Sequence, residues 1–414
     1  MRGIGEEAVR RCDLFKSSPF SDETGALTRR FLTPAHRAAI AQLSAWMRDA
    51  GMSVRLDPAG TLVGRYEGTG PGPTLLIGSH IDTVRDAGAY DGTLGVMLGL
   101  GVIEHLHRTG RRFPFAIELL AFGDEEGSRF PASMLGSRAL AGCTLDDPAL
   151  TQDEAGTTLA EALRDFGLDP AAIARASRSR DEILLYFEPH IEQGPVLEAE
   201  GLAVGIVTGI SAQTRLSVEV RGEANHAGTT PMPLRRDALA AAAEAMLALE
   251  AIARRRNIVG TVGAVQAFPG LGNVVPGRAV FTVDLRAPRA EARDAAEAEF
   301  RDALAAICAA RGVSAKVTLH QRLAPCFCDE EAQALLAESL RDLGLRPFWL
   351  ASGAGHDGMS VATLAPVAML FIRCAKGISH NPAEAVMAAD VEIAAQVMLA
   401  FLTRLAVHSR LSLG

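Results

Sequence analysis

Apolar residues recur at helical spacing over residues 34–50, and Thr33 and Pro34 stand where a helix start favours a hydroxyl cap and a first-turn proline. Gly51 is the expected stop, and SVRLD after it reads as a strand. The run TLLIGSHID is apolar almost to its end, the texture of a strand buried on both faces. Residues 93–108 predict a helix, and FAIELLAFGDEEG a second buried strand that ends in acids. Strand, helix, strand in this order implies a parallel α/β sheet.

From Thr214 the texture changes. TRLSVEVRG alternates, residues 235–256 predict an Ala-rich helix, and GTVGAVQAF and AVFTVDLRA predict two strands. A second Ala-rich helix at about 290–311 and the strand SAKVTLH complete a β-α-β-β-α-β order, that of a ferredoxin-like split unit. Beyond Pro325 the helix, strand, helix texture resumes. The expected fold is α/β with two domains. A split catalytic domain with a central sheet takes residues 1–212 and 326–414, and an inserted ferredoxin-like α+β domain takes 213–325.

Composition narrows the function classes. At roughly 150 residues per domain, 414 residues suggest two or three domains, and 48% hydrophobic with 22% charged residues is ordinary for a globular chain. A net charge of −8 argues against nucleic acid or an anionic membrane as partner, and 5% aromatics against a stacking platform for bases or sugars. The six cysteines form neither a C-x-x-C pair nor a dense framework, which fits a reduced, cytoplasmic setting. The start, MRGIGEEAVRRCDLF, lacks the apolar run of a secretory signal, and no stretch reads as a membrane span.

The histidines carry the candidate chemistry. His36, His105, His107, His320 and His408 have no acid at a telling spacing and read as structural or solvated. His80 and Asp82 lie two apart at a strand end, where period two puts both on one face. Asp91 follows in AYDG just before a helix, and Asp124, Glu125 and Glu126 end the next buried strand. Ligands bind at the carboxyl ends of strands in open parallel sheets, so these groups are expected to converge. Each pair alone is commonplace; together at strand ends they point to a divalent metal such as zinc or manganese. His190 in PHIEQGP and His380 in GISHNPAE have polar neighbours, and His356 sits in the Gly-rich run SGAGHDG. The glycines of GTLGVMLGLG do not form the G-x-G-x-x-G of a dinucleotide site.

The ordered motifs SHIDT, AYDGTLGV, GDEEG, HIEQGPVLE, NHAGTTPM, NVVPG, DLRA, SGAGHDG and ISHNPAE resemble the amidase and carbamoylase branch of the M20 metallopeptidase family over almost the whole chain. MLFIRCAKGISHNP leans the resemblance toward bacterial allantoate amidohydrolases, while N-carbamoyl-L-amino-acid hydrolases and β-ureidopropionases share nearly all the rest. The resemblance implies two divalent ions per subunit, zinc or manganese with cobalt or nickel also compatible. Asp91 would bridge them, with His80 and His190 on one ion and Glu126 and His380 on the other. The peptidases of the family usually have a carboxylate where His190 stands, so the histidine favours the amidase branch.

By the same resemblance Asp82 orients His80, Glu125 is the general base, and His226 stabilises the oxyanion. Arg286 and Asn273 take the substrate carboxylate, and Gln193, His356 and the backbone of Gly355 lie near the ureido end. Composition alone would make His226 a loop histidine and Arg286 a surface ion-pair partner. The implied reaction is hydrolysis of a ureido C–N bond in a small anionic substrate: allantoate giving ureidoglycine, ammonia and carbon dioxide. The alternative is an N-carbamoyl-L-amino acid, and an inactive ligand-binding homologue is opposed by the presence of every ligand and the base. A homodimer through the inserted domain, with open and closed states, is also implied; whether His226 and Asn273 serve their own or the partner's site stays open. SRFPASMLGSRA and NHAGTTPM depart from the usual family wording without losing these residues.

Overall fold

Two fully buried strands, Thr74–His80 and Ile117–Phe122, run parallel in the middle of a nine-stranded sheet. Apolar side chains on both faces of such strands require cover on both faces. Part of that cover is the helix Thr93–Arg108, which packs on Thr74–His80 and Ile183–Ile191 and buries most of its circumference. The structure, a computed structural model, describes residues 2–412; Met1 and 413–414, the ends of the expected split domain, lie outside them.

The chain divides into two compact units. The first comprises Met1–Thr208, Phe327–Leu350 and Ala354–Gly414; the second comprises Gly209–Cys326 and Ala351–Gly353. In the first, the strand order is Ser53–Leu56, Leu62–Tyr66, Ile117–Phe122, Thr74–His80, Ile183–Ile191, Val367–Ile372, Val204–Ile210 and Cys326–Phe327, with Trp349–Ser352 also beside Val204–Ile210. The sheet is mixed, parallel in the centre as the strand, helix, strand order implied and antiparallel toward its edges. Thr74–His80, Ile117–Phe122, Ile183–Ile191 and Val367–Ile372 pair in parallel, whereas the hairpin Ser53–Leu56 with Leu62–Tyr66 and its pairing to Ile117–Phe122 are antiparallel. A short turn suffices for the hairpin, because the Asp57 carboxylate accepts from the backbone N–H of Ala59 and Thr61.

Thr33 caps the helix Pro34–Asp49 by accepting from the His36 N–H, and Gly51 takes φ 76° just after it. One segment near the far end of the chain is more apolar than the sequence reading singled out. The segment Ala388–His408 is long and apolar enough to cross a membrane by length and composition. Its Val391, Ala394, Met398, Phe401 and Leu402 are buried, and the helix packs on Ile4–Leu14, Thr93–Arg108 and Glu330–Asp342, so its apolar surface serves the core.

The second unit has an antiparallel sheet ordered Val265–Phe268, Arg278–Ala287, Ala212–Arg221 and Ser314–Leu323, with Val259–Thr261 also on Arg278–Ala287. Ala279, Phe281, Val283 and Leu285 point into a core shared with the helices Ala238–Arg256 and Ala290–Arg311, so period two sends Thr282, Asp284 and Arg286 to the open face. Two boundaries differ from expectation. The first helix starts at Ala238 rather than 235, because Asp237 caps it by accepting from Ala240 N–H. GTVGAVQAF is two strands: three residues, 262–264, stand opposite two on the partner, a bulge that breaks the ladder.

Phe300 is wholly buried in the second unit's core. Phe300→Ala is expected to cost about 3–5 kcal/mol, read as a lower urea midpoint, while metal content under native conditions stays at the wild-type level.

Candidate metal centre

The centre is built where the parallel strands of the first unit end. His80 is the last residue of Thr74–His80, and His190 the penultimate residue of Ile183–Ile191. Asp91 arrives on the loop before Thr93–Arg108, fixed by its own N–H and that of Tyr90, which donate to Glu384 Oε1 at 3.0 and 2.7 Å. Gly92 follows with φ 62°, and a Cβ there would lie 2.4 Å from the His80 ring, so both the turn and the close approach require glycine.

Asp82 lies beyond the strand rather than on it. His80 Nδ1 lies 3.0 Å from the Asp82 carbonyl and 3.6 Å from its carboxylate, so the carbonyl is the closer acceptor. The carboxylate instead holds the acidic turn, accepting from Glu125 and Glu126 N–H at 3.2 Å each. His190 repeats the device with Nδ1 2.8 Å from the Ile191 carbonyl. A nitrogen facing a carbonyl must be the donor, so each neutral ring presents the lone pair of Nε2.

Those lone pairs face a carboxylate. Asp91 Oδ1 lies 3.2 Å from His190 Nε2 and 3.7 Å from His80 Nε2, while Oδ2 lies 3.1 Å from His380 Nε2. His380 Nε2 is also 3.5 Å from Glu126 Oε1, and His80 Nε2 is 3.9 Å from Glu125 Oε2. Acceptors facing acceptors need a cation between them. Ligand atoms of His80, Asp91 and His190 cluster within 4.8 Å of one another, as do those of Asp91, Glu126 and His380, and of His80, Glu125 and Glu126. Metal–ligand distances of ~2.0–2.1 Å in a tetrahedron put ligand atoms about 3.3 Å apart, the spacing seen around Asp91. The donor set fits two divalent ions.

The ionisation of the metal-free centre says the same. Burial opposes charge on His80, but Asp82, Glu125 and Asp91 outweigh it and hold the ring's pKa well above its usual value. His380 rises to about 9, chiefly through Asp91. Burial would raise the Asp91 pKa, yet His190 and His380 hold it well below the usual range. Burial raises Glu126 to about 7 and Glu125 well above the ordinary value.

The structure adds residues that sequence reasoning missed. Asp91 Oδ2 accepts from Gln193 Nε2 at 2.9 Å, so Gln193, expected near the substrate, orients Asp91. Ser379 Oγ is 3.0 Å from both Asp91 Oδ2 and Glu384 Oε2. A hydroxyl has one proton to give; a protonated Glu384 satisfies both contacts, and burial lifts that carboxyl to about 7. Glu384 lies within the ISHNPAE motif, but its partners are backbone N–H groups, which leave no mark in sequence. Arg29, wholly buried, donates to the carbonyls of Ile81, Phe15 and Phe20 and to Thr93 Oγ1, tying the residue after His80 to the start of the helix that follows Asp91. His356 is 1% exposed and packs edge-on against His190 at 4.4 Å between centroids, a supporting place rather than an open binding position. Gly355 lies against Met134.

The other candidates belong to the second unit. His226 is exposed on a short strand paired with Val274–Val275, and its Nδ1 accepts from Gly228 N–H at 3.0 Å, which leaves the proton on Nε2. Asn273, also exposed, adjoins that ladder, its carbonyl accepting from Ala227 N–H. Arg286 forks onto Asp284, the ion pair that composition alone suggested.

The sequence profile of the peptidase family M20/M25/M40 matches residues 76–404. The chain belongs to this family. Among M20 relatives it is 42% identical over 377 residues to an N-carbamoyl-L-amino acid amidohydrolase of Geobacillus stearothermophilus, covering 91% of this chain and 92% of that one. It is 39% identical over 441 residues to a probable allantoate deiminase of Oryza sativa subsp. japonica, covering 98% and 89%. A hydantoinase/carbamoylase family amidase from Burkholderia multivorans superposes with a TM-score of 0.89 at 32% identity, covering 98% of each chain. The protein is thus an M20 hydrolase, and its relatives are amidohydrolases.

Metal must displace the protons that the metal-free centre retains. Calorimetric titration of the apo-protein with Zn²⁺ or Mn²⁺ is expected to show affinity rising from pH 6 to about pH 9, as His380 loses its proton, with protons released to the buffer. Affinity independent of pH in that range would place the ion elsewhere.

Proposed function

We propose that this protein is a two-metal amidohydrolase that cleaves a ureido C–N bond in a small carboxylate, with allantoate as substrate and ureidoglycine, ammonia and carbon dioxide as products. The observation that carries the reading is Asp91, whose two oxygens face separate sets of ligand atoms. When bound, a pair of divalent cations supplies Lewis acidity and lowers the pKa of water toward neutrality.

The protein's own groups do the rest. Glu125, poised by burial to hold a proton, takes one from the attacking water and returns it to the departing nitrogen. Asp82 fixes the turn that carries Glu125 and Glu126. His226, with its proton on Nε2, is suited to donate to the oxyanion of the tetrahedral intermediate. Arg286 and Asn273 are assigned to the substrate carboxylate, and His356 supports the His190 ring. An N-carbamoyl-L-amino acid substrate is the second reading, favoured by the 42% identity to an amidohydrolase of that name.

The test is ammonia release from allantoate and from several N-carbamoyl-L-amino acids after metal reconstitution. Preference for the amino acids overturns allantoate, and no release from any of them overturns the ureido reading. Glu125→Gln is expected to keep both metals and lose about 10²–10⁴-fold in turnover.

Homodimerisation is assigned to the second unit, which exposes Leu247, Val259, Val265 and Leu319. Sedimentation velocity is expected to give a dimer at micromolar concentration, and a fully active monomer would remove this assignment.

A further inference from the structure

On the open face of the second unit's sheet, Arg286 stands two residues from Asp284, and across the ladder these residues oppose Gln213 and Arg215. Arg286 Nε donates to Asp284 Oδ1 at 3.0 Å and Nη2 donates to Oδ2 at 2.9 Å, while Nη1 donates to the Gly353 carbonyl. A guanidinium has five N–H groups. Three are committed, and one remains on each Nη to donate to an anion.

Asp284 is itself held. Gln213 Nε2 donates to its Oδ2 at 2.9 Å and Arg215 Nε at 3.3 Å. Burial would raise its pKa, but Arg286 and its other partners keep the carboxyl below its usual value, so it is ionised at neutral pH. Two arginines against one aspartate leave this cluster net positive, so Asp284 does not cancel its attraction for an anion.

An aspartate beside an anion-binding arginine can act in two opposite ways. As a neutraliser it would weaken the arginine, and its removal would tighten anion binding. As an anchor it fixes a side chain that otherwise loses rotamer entropy when a ligand arrives, and its removal would weaken binding. The fork onto Asp284, the third bond to Gly353 and the further donors Gln213 and Arg215 are the features of an anchor.

We propose that Asp284 is a positioning residue that presents the remaining N–H groups of Arg286 to the substrate carboxylate, making this part of the second unit a pre-organised anion receptor. The inference rests on the assignment of Arg286 made under the proposed function. The experiment is steady-state kinetics of the metal-loaded, full-length enzyme with allantoate or N-carbamoyl-L-alanine, whichever it turns over, and with the corresponding neutral carboxamide. Asp284→Asn is expected to raise KM for the carboxylate about tenfold, to leave kcat within about threefold, and to leave KM for the carboxamide and the metal content unchanged. A KM that falls or stays the same overturns the inference, as does an equal rise for both substrates. Asp284→Glu replaces Asp284→Asn if the latter is not recovered folded, with a smaller rise expected and the same overturning results. Arg286→Met separates the two levels: if it leaves KM for the carboxylate unchanged, the assignment of Arg286 fails. If it raises KM while Asp284→Asn does not, the positioning role alone fails.

Discussion

A carboxylate that is 4% exposed and lies within 3.7 Å of three imidazole nitrogens sets the terms for the first unit. An anion so placed is costly unless cations accompany it. Without metal the compensating charges are protons on His80 and His380, and divalent ions would take their place. Either way Asp91 must not move, and the surrounding loops serve that end. Glu384 holds its backbone, Gln193 and Ser379 hold Oδ2, and Gly92 lets the chain pass against the His80 ring.

The electrostatics vary with depth behind that carboxylate. Burial raises Asp357 to about 7, Glu188 to about 8 and Asp124 well above its ordinary value. These acids hold protons around neutral pH, whereas Asp91, with imidazoles against it, stays ionised. Arg29 adds a fixed positive charge in the same core, lowered by burial to about 10 and therefore still charged. The negative charge that the ions meet is thus smaller than the number of nearby carboxyl groups implies.

What was legible in the sequence follows from the range of each interaction. The helix Thr93–Arg108 and the strand Thr74–His80 were readable because local patterning determines them, and the family was readable because its motifs lie in order along the chain. Strand direction was not, since alternation is the same in parallel and antiparallel ladders, and the hairpin Ser53–Leu56 with Leu62–Tyr66 made the sheet mixed. Glu384 was not legible because its partners are backbone N–H groups, and Ser379 because a serine hydroxyl carries no ligand signature. Arg29 was missed because carbonyl acceptors leave no mark in sequence. The same limit hid the role of Asp82, whose carbonyl lies closer to the imidazole than its carboxylate does.

The net charge of −8 is unevenly divided, and the division has a physical logic. Lys and Arg outnumber Asp and Glu in Gly209–Cys326, so the first unit carries more than the whole acidic excess. A unit that must attract divalent cations gains from negative potential, and one that must attract an anionic substrate gains from positive potential. The two requirements conflict on a single surface, because each charge that helps one ligand repels the other. With the candidate metal ligands in one unit and the proposed substrate groups His226, Asn273 and Arg286 in the other, each potential can be set separately. Under the proposed function, that separation is a physical reason to keep the second unit.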